Sequence, residues 1–536
     1  MSTLIVTCDV GTSGIKTCLY EVGAKITLVA AATATYALYI DEFNAEQDPL
    51  ELWQAMCRTT REVLEASGCD PSDVRGVSFC SQMQSLVLVD RAGDPVRRTM
   101  SYMDQRATEE YRKGIGRGLK VSGLNVRKLL RSLHLTGAVP ASVKDPIWKY
   151  QWVRRHEPAV FARAHKWLDI KEFLILKCTG EFVMTHDSAF ATLLYDSDRA
   201  GFSAEMCRMF DVEMRHLPRI IATTDQVGPL RAEAAALLGL PPGTPVFGGG
   251  GDASLIGVGA GSAHEGDTHI YLGTSGWVST VVRKRTIDLT SMIASIVGAD
   301  AGVYNYFAEL ETAGKCLEWV RDHLALDEIN IFLQQATVAD SPGAIAESLY
   351  SFMLREIKDI PAGSNGVIFT PWLHGNRCPF EDPNAAGIFF NIRLDTGKRD
   401  LIHAVVEGIC YHLRWQLESQ QRKVATSPTI RFVGGGALAP TTCQTLADIL
   451  GTEVQTVSDP QNVGALGAAI TVGVGLGLLT SIEDSSSLVE VDSTYQPDPS
   501  TRAVHERNFG VFKSLYTNNK KSFSILAGGS PQRVDA

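Results

Sequence analysis

Two short apolar runs, one in each half of the chain, are each followed by the tetrapeptide Gly-Thr-Ser-Gly and by a second β-favouring stretch. The first set occupies residues 4–8, 11–14 and 15–20, and the second occupies 269–272, 273–276 and 277–282. Apolar runs of this length on either side of a glycine turn are typical of β-hairpins. The repetition predicts a duplicated fold with one glycine loop in each half.

Helical periodicity alternates with these strands. Asp48 followed by Pro49 is typical of a helix start and predicts a helix to about Ala66. Residues 399–416 also have the apolar periodicity of a helix. The uncharged, glycine-containing run at 463–479 is slightly short for a membrane span and predicts a buried helix. Mixed strands and helices indicate an α/β fold.

The length of the chain predicts more than one hydrophobic core, because 536 residues exceed what a single core usually supports. We place the boundary near residue 264, which gives an N-terminal domain of residues 1–263 and a C-terminal domain of residues 264–518. The segment 519–536 is basic and then rich in Gly, Ser and Pro, and we expect it to be a frayed tail.

Charge and cysteine content narrow the class of ligand. The formal net charge of -10 argues against binding of nucleic acid or an anionic membrane and favours small molecules. The 11 cysteines include no C-x-x-C pair, which indicates reduced thiols rather than disulfides or a zinc site. The N-terminus has no secretory signal pattern, so we expect a cytoplasmic protein.

The first glycine loop has the chemistry of a phosphate site. Gly11 lets backbone N–H groups approach a phosphate, and the hydroxyls of Thr12 and Ser13 add donors. Asp9 precedes the loop at a strand end, where it could hold Mg²⁺ through water, and Lys16 closes the motif. The alternative is an ordinary hairpin with a capping aspartate.

A second loop and a glycine run in the other half would complete a nucleotide site. Gly273 and Thr274 repeat the donors of the first loop, and a triphosphate between two lobes needs donors from both sides. Gly435, Gly436 and Ala437 follow a predicted strand, where a flat adenine ring could lie against the backbone. A tight β–α turn is the alternative for this run.

Asp252 comes directly after four consecutive glycines and is a candidate catalytic base. Phosphoryl transfer to an alcohol depends mainly on positioning and charge stabilisation, with modest help from one carboxylate. Asp252 could equally be the acidic cap of the next helix, and both interpretations can hold together.

Polar side chains around residues 82–84 and 104–106 suit a polyhydroxyl ligand. Gln82, Met83 and Gln84 lie between two predicted strands, and Asp104 and Arg106 follow some twenty residues later. Amide, carboxylate and guanidinium groups bind sugar hydroxyls well. Taken alone, these residues could also be ordinary surface polar groups.

The ordered set of these motifs resembles the FGGY carbohydrate kinase family from about residue 3 to about residue 480. Further matches lie at residues 146–152, 369–379 and 400–408. The resemblance implies an actin-like ATPase fold, in which two ribonuclease H-like domains enclose ATP and a sugar in the cleft between them. Asp252 then takes the place of the catalytic base and Asp9 that of the Mg²⁺-linked aspartate. A homodimer is expected from the family alone.

The pattern is most similar to the xylulokinases, through Lys16, residues 81–83 and residues 248–254. It departs from them at Gln84, where His is usual, and at Met103, where Trp is usual. Asn376 and Asn391 also replace a usual Glu and Gly. Since Gln84 and Met103 fall in the expected sugar pocket, the resemblance implies a sugar kinase and leaves a pentulose or a polyol open as substrate.

Two other classes remain as alternatives. A nucleotide-dependent chaperone or filament protein of the actin-like fold would share the phosphate loops but not the segments at 248–254 and 369–379. A catalytically silent sugar-binding regulator would have no use for Asp9 and Asp252, and both carboxylates are present.

Overall fold

The computed structural model describes residues 3–121, 124–300, 302–324 and 354–529. Its first large sheet, the N-sheet, has the spatial order β5-β6-β4-β1-β2-β3, with β7 also paired to β4. The strands are β1 (Thr3–Val10), β2 (Gly14–Val22), β3 (Ile26–Thr35), β4 (Val74–Ser81), β5 (Gln226–Pro229), β6 (Pro245–Phe247) and β7 (Gly250–Gly251).

The second large sheet, the C-sheet, has the spatial order β10-β11-β12-β9-β8-β13-β14-β15. The strands are β8 (Thr268–Leu272), β9 (Gly276–Val282), β10 (Ile287–Asp288), β11 (Ile293–Val297), β12 (Tyr304–Leu310), β13 (Thr429–Val433), β14 (Glu453–Val457) and β15 (Val491–Tyr495). Each sheet therefore joins an antiparallel hairpin and a third strand to parallel strands on the other side. This shared topology matches the predicted duplication.

Helices cover both sheets. They are α1 (Pro49–Ser67), α2 (Thr108–Gly114), α3 (Val126–Leu135), α4 (Pro146–His156), α5 (Pro158–Arg163), α6 (Ile170–Thr179), α7 (His186–Ala191), α8 (Ala204–Met209), α9 (Ala232–Leu238), α10 (Asp252–Gly259), α11 (Gly314–His323), α12 (Lys398–Gln421), α13 (Pro440–Leu450), α14 (Val463–Gly475), α15 (Ile482–Ser485) and α16 (Arg502–Gly529).

Both predicted hairpins form, and the residues of their first and second strands pair directly. Asp9 lies opposite Lys16 in the first hairpin, and Tyr271 lies opposite Trp277 in the second. Helix α1 begins as predicted, because the Asp48 carboxylate accepts a hydrogen bond from the Leu50 N–H and Pro49 occupies the first turn. Local sequence chemistry is sufficient to specify these elements.

Helix α14 is the buried helix predicted from the uncharged run, and it lies between the two sheets. It packs against α10 and against β1 and β4 of the N-sheet. Its glycines permit this contact: a Cβ on Gly467 would lie 2.2 Å from the Leu255 backbone oxygen, and one on Gly259 would lie 1.9 Å from the Val463 oxygen. Throughout the described ranges, no helix combines the length and apolar character needed to cross a membrane.

Helix α16 corrects the prediction of a frayed tail from residue 519. The helix continues to Gly529, and Phe523 is 7% exposed, packed edge-on against Trp372. The apolar side chain of Phe523 on the inner face provides burial that the polar composition of the segment concealed. Residues 530–536 lie outside the described part of the chain.

Candidate active site

Asp252 is the first residue of α10 and follows β7, the short strand at the carboxyl end of the N-sheet. Its carboxylate accepts a hydrogen bond from the N–H of the next residue, Ala253, at 2.8 Å. The N-cap of α10 is Gly251 and no side-chain capping hydrogen bond forms, so Asp252 is the first helical residue and not the cap that the alternative interpretation expected. Its other carboxylate oxygen makes no hydrogen bond within the described residues, which leaves an acceptor for a proton.

The environment of Asp252 makes its carboxyl a weaker acid than usual. Burial raises the pKa to about 7, the Ala253 N–H opposes that rise, and the negative charges of Asp9, Glu309 and Asp187 add to it. A carboxylate with a pKa near the working pH can accept a proton and release it again readily. The site thus has the protonation behaviour of a general base.

Asp187 holds the start of α10 in place. This carboxylate is 1% exposed, and it accepts a hydrogen bond from the Gly251 N–H at 2.7 Å and another from the Ser254 hydroxyl. Its other oxygen accepts from the Thr185 hydroxyl at 2.5 Å. Asp187 therefore fixes the backbone on both sides of Asp252, a role that was not visible in the sequence.

Asp9 lies at the end of β1, beside the C-terminal half of the chain. Burial raises its pKa, while the charge of Lys16 opposes that rise. Lys16 also donates a hydrogen bond to the Gln461 backbone oxygen at 2.9 Å. A Cβ on Gly464 would lie 2.6 Å from the Asp9 carboxylate, so only glycine allows α14 to approach it this closely.

The first glycine loop is braced from behind by two buried glutamines. Gln47 donates to the Thr12 carbonyl at 2.6 Å, and Gln82 donates to the Gly11 carbonyl at 3.0 Å and to the Gln47 side chain at 3.1 Å. These contacts turn the carbonyls of the loop inward. Ser13 remains exposed, and within the described residues the Thr12 hydroxyl forms one hydrogen bond, with the Tyr102 hydroxyl at 3.2 Å.

The second loop carries an aromatic ring that the first lacks. The Tyr271 hydroxyl lies against Gly273, where a Cβ would be 2.3 Å away, and the ring stacks on Trp277 with 4.0 Å between centroids. Burial and the charges of Asp9 and Asp252 raise the Tyr271 pKa. Thr274 is exposed and Gly273 half-buried, so donors of this loop remain accessible.

The third glycine segment forms a single turn after β13. Gly434 adopts a φ of 91°, which glycine tolerates, and residues 435–438 form a 3₁₀ turn. A Cβ on Gly435 would meet no atom within 4 Å, whereas one on Gly436 would contact Leu272. Gly435 therefore presents bare backbone to open space, and Ala437 is buried beneath it.

The segment 82–85 is held by charged groups behind it. Lys149, fully buried, donates a hydrogen bond to the Gln84 carbonyl at 2.9 Å, and the buried Asp169 accepts one from the Ser85 N–H. Gln84 adopts a φ of 65°, which is unfavourable for a residue other than glycine. Burial lowers the Lys149 pKa to about 8, and nearby carboxylates, Asp104 and Asp169 first among them, oppose that fall.

Met83 lies against Gly251, the residue before Asp252, while the amide nitrogen of Gln82 is not free to contact a ligand. The Met83 sulfur packs on Gly251, where a Cβ would be 2.2 Å from it. Gln84 is half-buried, and its side chain makes no hydrogen bond inside the described ranges. The Gln82 amide nitrogen is occupied by the first loop, although its Oε1 is buried without a partner.

Asp104 and Arg106 form an internal ion pair. Their side chains are 0% and 10% exposed, and the Arg106 guanidinium lies 2.7 Å from the Asp104 carboxylate and 2.8 Å from that of Glu46. Asp104 also accepts from the Ala45 N–H at 2.9 Å. Both side chains therefore make most of their hydrogen bonds to other groups of the protein. The sequence had predicted that they would contact a sugar.

Two ion pairs involve Glu309 and Glu311, which lie at and just after the end of β12 in the C-sheet. Arg377 lies 3.1 Å from Glu309, and Lys144 lies 3.7 Å from Glu311. The second pair joins a residue that precedes α4 to one that follows β12. Glu309 also faces Asp252 closely enough to raise its pKa.

The sequence did not predict a site role for Asp187, Gln47, Tyr271 or Lys149. For Tyr271 a signal existed, because it stands two residues before its glycine loop, as Asp9 does before the first. Lys149 was also visible in the sequence, as a single charged residue in the aromatic segment 146–152. Asp187 and Gln47 had no comparable signal, since both act through contacts distant in sequence.

The chain matches the FGGY family of carbohydrate kinases over residues 4–259 for the N-terminal domain and 269–476 for the C-terminal domain. It is 26% identical to a xylulose kinase of Staphylococcus epidermidis over 515 residues, which is 96% of each chain. It is 25% identical to a gluconokinase of Bacillus subtilis, over 93% of this chain and 92% of the other. The crystal structure of a ligand-bound xylulose kinase from Lactobacillus acidophilus superimposes with a TM-score of 0.83 at 23% identity, covering 98% of this chain and 100% of that one.

The duplicated sheets have the two-domain, actin-like architecture of the sugar kinases, as the sequence predicted. With both family domains matched in order, this chain belongs to the FGGY family of carbohydrate kinases.

Proposed function

We propose that this protein transfers the γ-phosphate of ATP to a hydroxyl of a neutral ketopentose such as D-xylulose, and that Asp252 takes the hydroxyl proton. The raised pKa of Asp252 and its free carboxylate oxygen support the base role. Asp187 keeps that carboxylate at the mouth of the cleft. The products are a sugar phosphate and ADP.

The two glycine loops and the third glycine segment supply the ATP side of this proposal. Gly11, Thr12, Ser13, Gly273 and Thr274 would hold the phosphates, since both loops leave donors accessible. Gly435, Gly436 and Ala437 would form the adenosine pocket, and the open space above Gly435 leaves room for a ring. Lys16 would keep Asp9 ionised at the join of the two halves.

The residues around Asp9 fit a hydrated Mg²⁺. The Asp9 carboxylate is an oxygen ligand, the type this ion prefers, and it lies on the same side of the N-sheet as Asp252. Asp9 would hold the ion through water, and the ion would neutralise charge on the transferred phosphoryl group.

The pairing of four cations around Asp252 and the segment 82–85 favours a neutral sugar over a sugar acid. Within the described ranges, Arg106 is bound to Asp104 and Glu46, Lys149 to the Gln84 carbonyl, Arg377 to Glu309 and Lys144 to Glu311. The carboxylate of gluconate would have to share one of these cations with the partner that it already has. The half-buried Met83 and Gln84 provide instead an apolar surface and an amide, which suit a ketopentose.

We further propose that residues 1–263 and 264–518 act as the two domains that close over the substrates. Closure would exclude water and so limit transfer of the phosphoryl group to it. Gln82, Asp104 and Arg106 would then act mainly by bracing the first loop and the sugar segment.

Coupled ADP release with a panel of sugars tests the proposal. The panel contains D- and L-xylulose, D- and L-ribulose, gluconate, erythritol and glycerol, each compared with the ATPase rate in the absence of sugar. We expect the highest kcat/KM with a ketopentose. Preference for gluconate would overturn the argument from paired cations, preference for a polyol would overturn the ketopentose, and no activity above background would overturn sugar phosphorylation.

A further inference from the structure

A polar cavity of about 280 Å³ lies at the opposite end of the C-sheet from the glycine loops. Thr268 and Thr429, the first residues of the parallel strands β8 and β13, form part of its wall. The loops at Gly273 and Gly434 follow the other ends of the same strands. Both strands are five residues long, and this length separates the cavity from those loops by roughly 15 Å. The cavity is therefore separate from the candidate active site.

The lining of this cavity is dominated by hydroxyl groups around one arginine. Its polar lining includes Ser262, His264, Asp267, Ser427, Arg431 and Ser487. Such a lining offers many hydrogen-bonding groups. It resembles a site for a polar molecule more than a packing defect, because empty protein cavities are usually apolar.

Arg431 is a guanidinium without a partner. Its side chain makes no hydrogen bond or ion pair in the part of the chain that the structure describes, and its Nη1 atom is buried. Burial lowers its pKa, and the charges of Asp267 and Glu453 oppose that fall. A buried donor left unsatisfied is costly, so a site that keeps one gains when an acceptor arrives.

The two carboxylates near Arg431 are bound by other groups. Asp267 accepts hydrogen bonds from the N–H groups of Ala263 and His264, at 3.1 and 2.9 Å. Glu453 accepts from the side chains of Gln455 at 2.8 Å and Gln496 at 2.5 Å. Within the described residues neither carboxylate forms a hydrogen bond or ion pair with the guanidinium, although both charges act on it, so its N–H donors stay available to an external anion.

Ser262 supplies a second, independent unpartnered group. It is 3% exposed and lines the cavity, and its hydroxyl has no hydrogen-bond partner among the residues that the structure describes. Native proteins leave few buried polar atoms unsatisfied, and those that remain often await a ligand or water. Arg431 and Ser262 thus present two unused groups to one space.

We propose that this cavity binds the phosphate group of a small phosphorylated metabolite, with Arg431 contacting the phosphate. Guanidinium groups recognise phosphate through paired N–H donors, and the surrounding serine and threonine hydroxyls suit the hydroxyls of a sugar. This site shares no residue with the groups proposed above for phosphoryl transfer. The backbone nevertheless links the two, because Gly261 and Ser262 follow the end of α10, whose first residue is Asp252.

Isothermal titration calorimetry of the whole protein tests this site without requiring kinase activity. The probes are ribose 5-phosphate, inorganic phosphate and unphosphorylated ribose. We expect binding of ribose 5-phosphate, with the affinity falling at least tenfold in Arg431→Gln, since a charge-assisted hydrogen bond contributes roughly 1.5–3 kcal/mol. Equal affinity for inorganic phosphate would support the phosphate site and assign it to the free ion, and ribose alone is expected not to bind.

Three further variants separate local contact from loss of folding. Ser262→Ala removes one unpartnered hydroxyl, and Ser487→Trp fills the cavity from its exposed edge without removing a buried group. Both are expected to weaken binding. Arg75→Gln removes an arginine charge from the surface of β4 and is expected to leave it unchanged. No binding of either phosphate probe, or binding that is equal in wild type, Arg431→Gln and Ser487→Trp, would overturn the proposal.

Discussion

Asp9 and Tyr271 occupy the same position in two related hairpins, each two residues before a Gly-Thr-Ser-Gly loop. The two side chains approach each other closely enough for the Asp9 charge to raise the Tyr271 pKa. The duplicated fold has therefore diverged at this position, with an ionisable acid in one half and a phenol stacked on Trp277 in the other. The Asp9 carboxylate suits the ion that accompanies ATP, and the Tyr271 ring lies close enough to Asp252 to be affected by its charge.

Replacing Asp252 with asparagine removes the proposed base and keeps its size. We expect kcat to fall by about 10²-fold or more, the usual loss for a positioned base, with a small change in the KM for ATP. Coupled ADP release measures both constants. Asp73→Asn, an exposed aspartate before β4, is the matched control and should retain wild-type kinetics. Near-normal turnover in Asp252→Asn would show that another group accepts the proton.

The pH dependence of activity should report the Asp252 carboxyl. The base works only when ionised, and its pKa is about 7, so kcat/KM should rise with pH through a midpoint near 7 and level off above it. Because Glu309 raises this pKa, Glu309→Gln should move the midpoint to lower pH. A profile flat between about pH 5 and pH 8 would contradict the base role.

Folding stability should fall as Asp252 ionises, whereas activity should rise. The folded-state pKa of Asp252 lies above the ordinary value of 3.8, so ionisation is disfavoured by folding and stability is lost as pH rises from about 4 to about 7. Asp252→Asn cannot ionise, and its Tm should exceed that of the wild type at pH 8. Thermal unfolding followed by circular dichroism at pH 5 and pH 8 tests this. We expect the Tm difference to be smaller at pH 5, and a difference independent of pH would contradict it.

Gly435→Ala tests the proposed adenosine pocket. The new methyl group meets no atom of the protein within 4 Å, so stability should be unaffected. It would project into the space proposed for adenine, and overpacking there should raise the KM for ATP roughly tenfold. Gly510→Ala, also free of contacts within 4 Å, is the control and should leave KM unchanged. An unaltered KM in Gly435→Ala would place the nucleotide elsewhere.

Lys149→Met tests the support behind the sugar segment. The change keeps the length of the side chain and removes the donor to the Gln84 carbonyl, whose φ of 65° depends on such support. We expect the KM for sugar to rise roughly tenfold and the KM for ATP to change little. Lys113→Met, at an exposed salt bridge on α2, is the control for loss of charge. Equal changes in both constants would indicate a general structural role.

The sequence by itself determined the elements whose chemistry is local. The hairpins at 3–22 and 268–282 follow from apolar runs around glycine turns, and α1 follows from its Asp48–Pro49 start. The place of Asp252 after four glycines was visible in the same way. These features depend on neighbouring residues, so reading the chain in order was sufficient to find them.

Only the tertiary structure decided which groups are free to act. Arg106 appeared available from the sequence, but Asp104 and Glu46 occupy its guanidinium. Arg431 was unremarked in the sequence, and folding leaves it without a partner in a polar cavity. Hydrogen bonds and burial join residues far apart in the chain, and they set both the pKa of Asp252 and the availability of each cation.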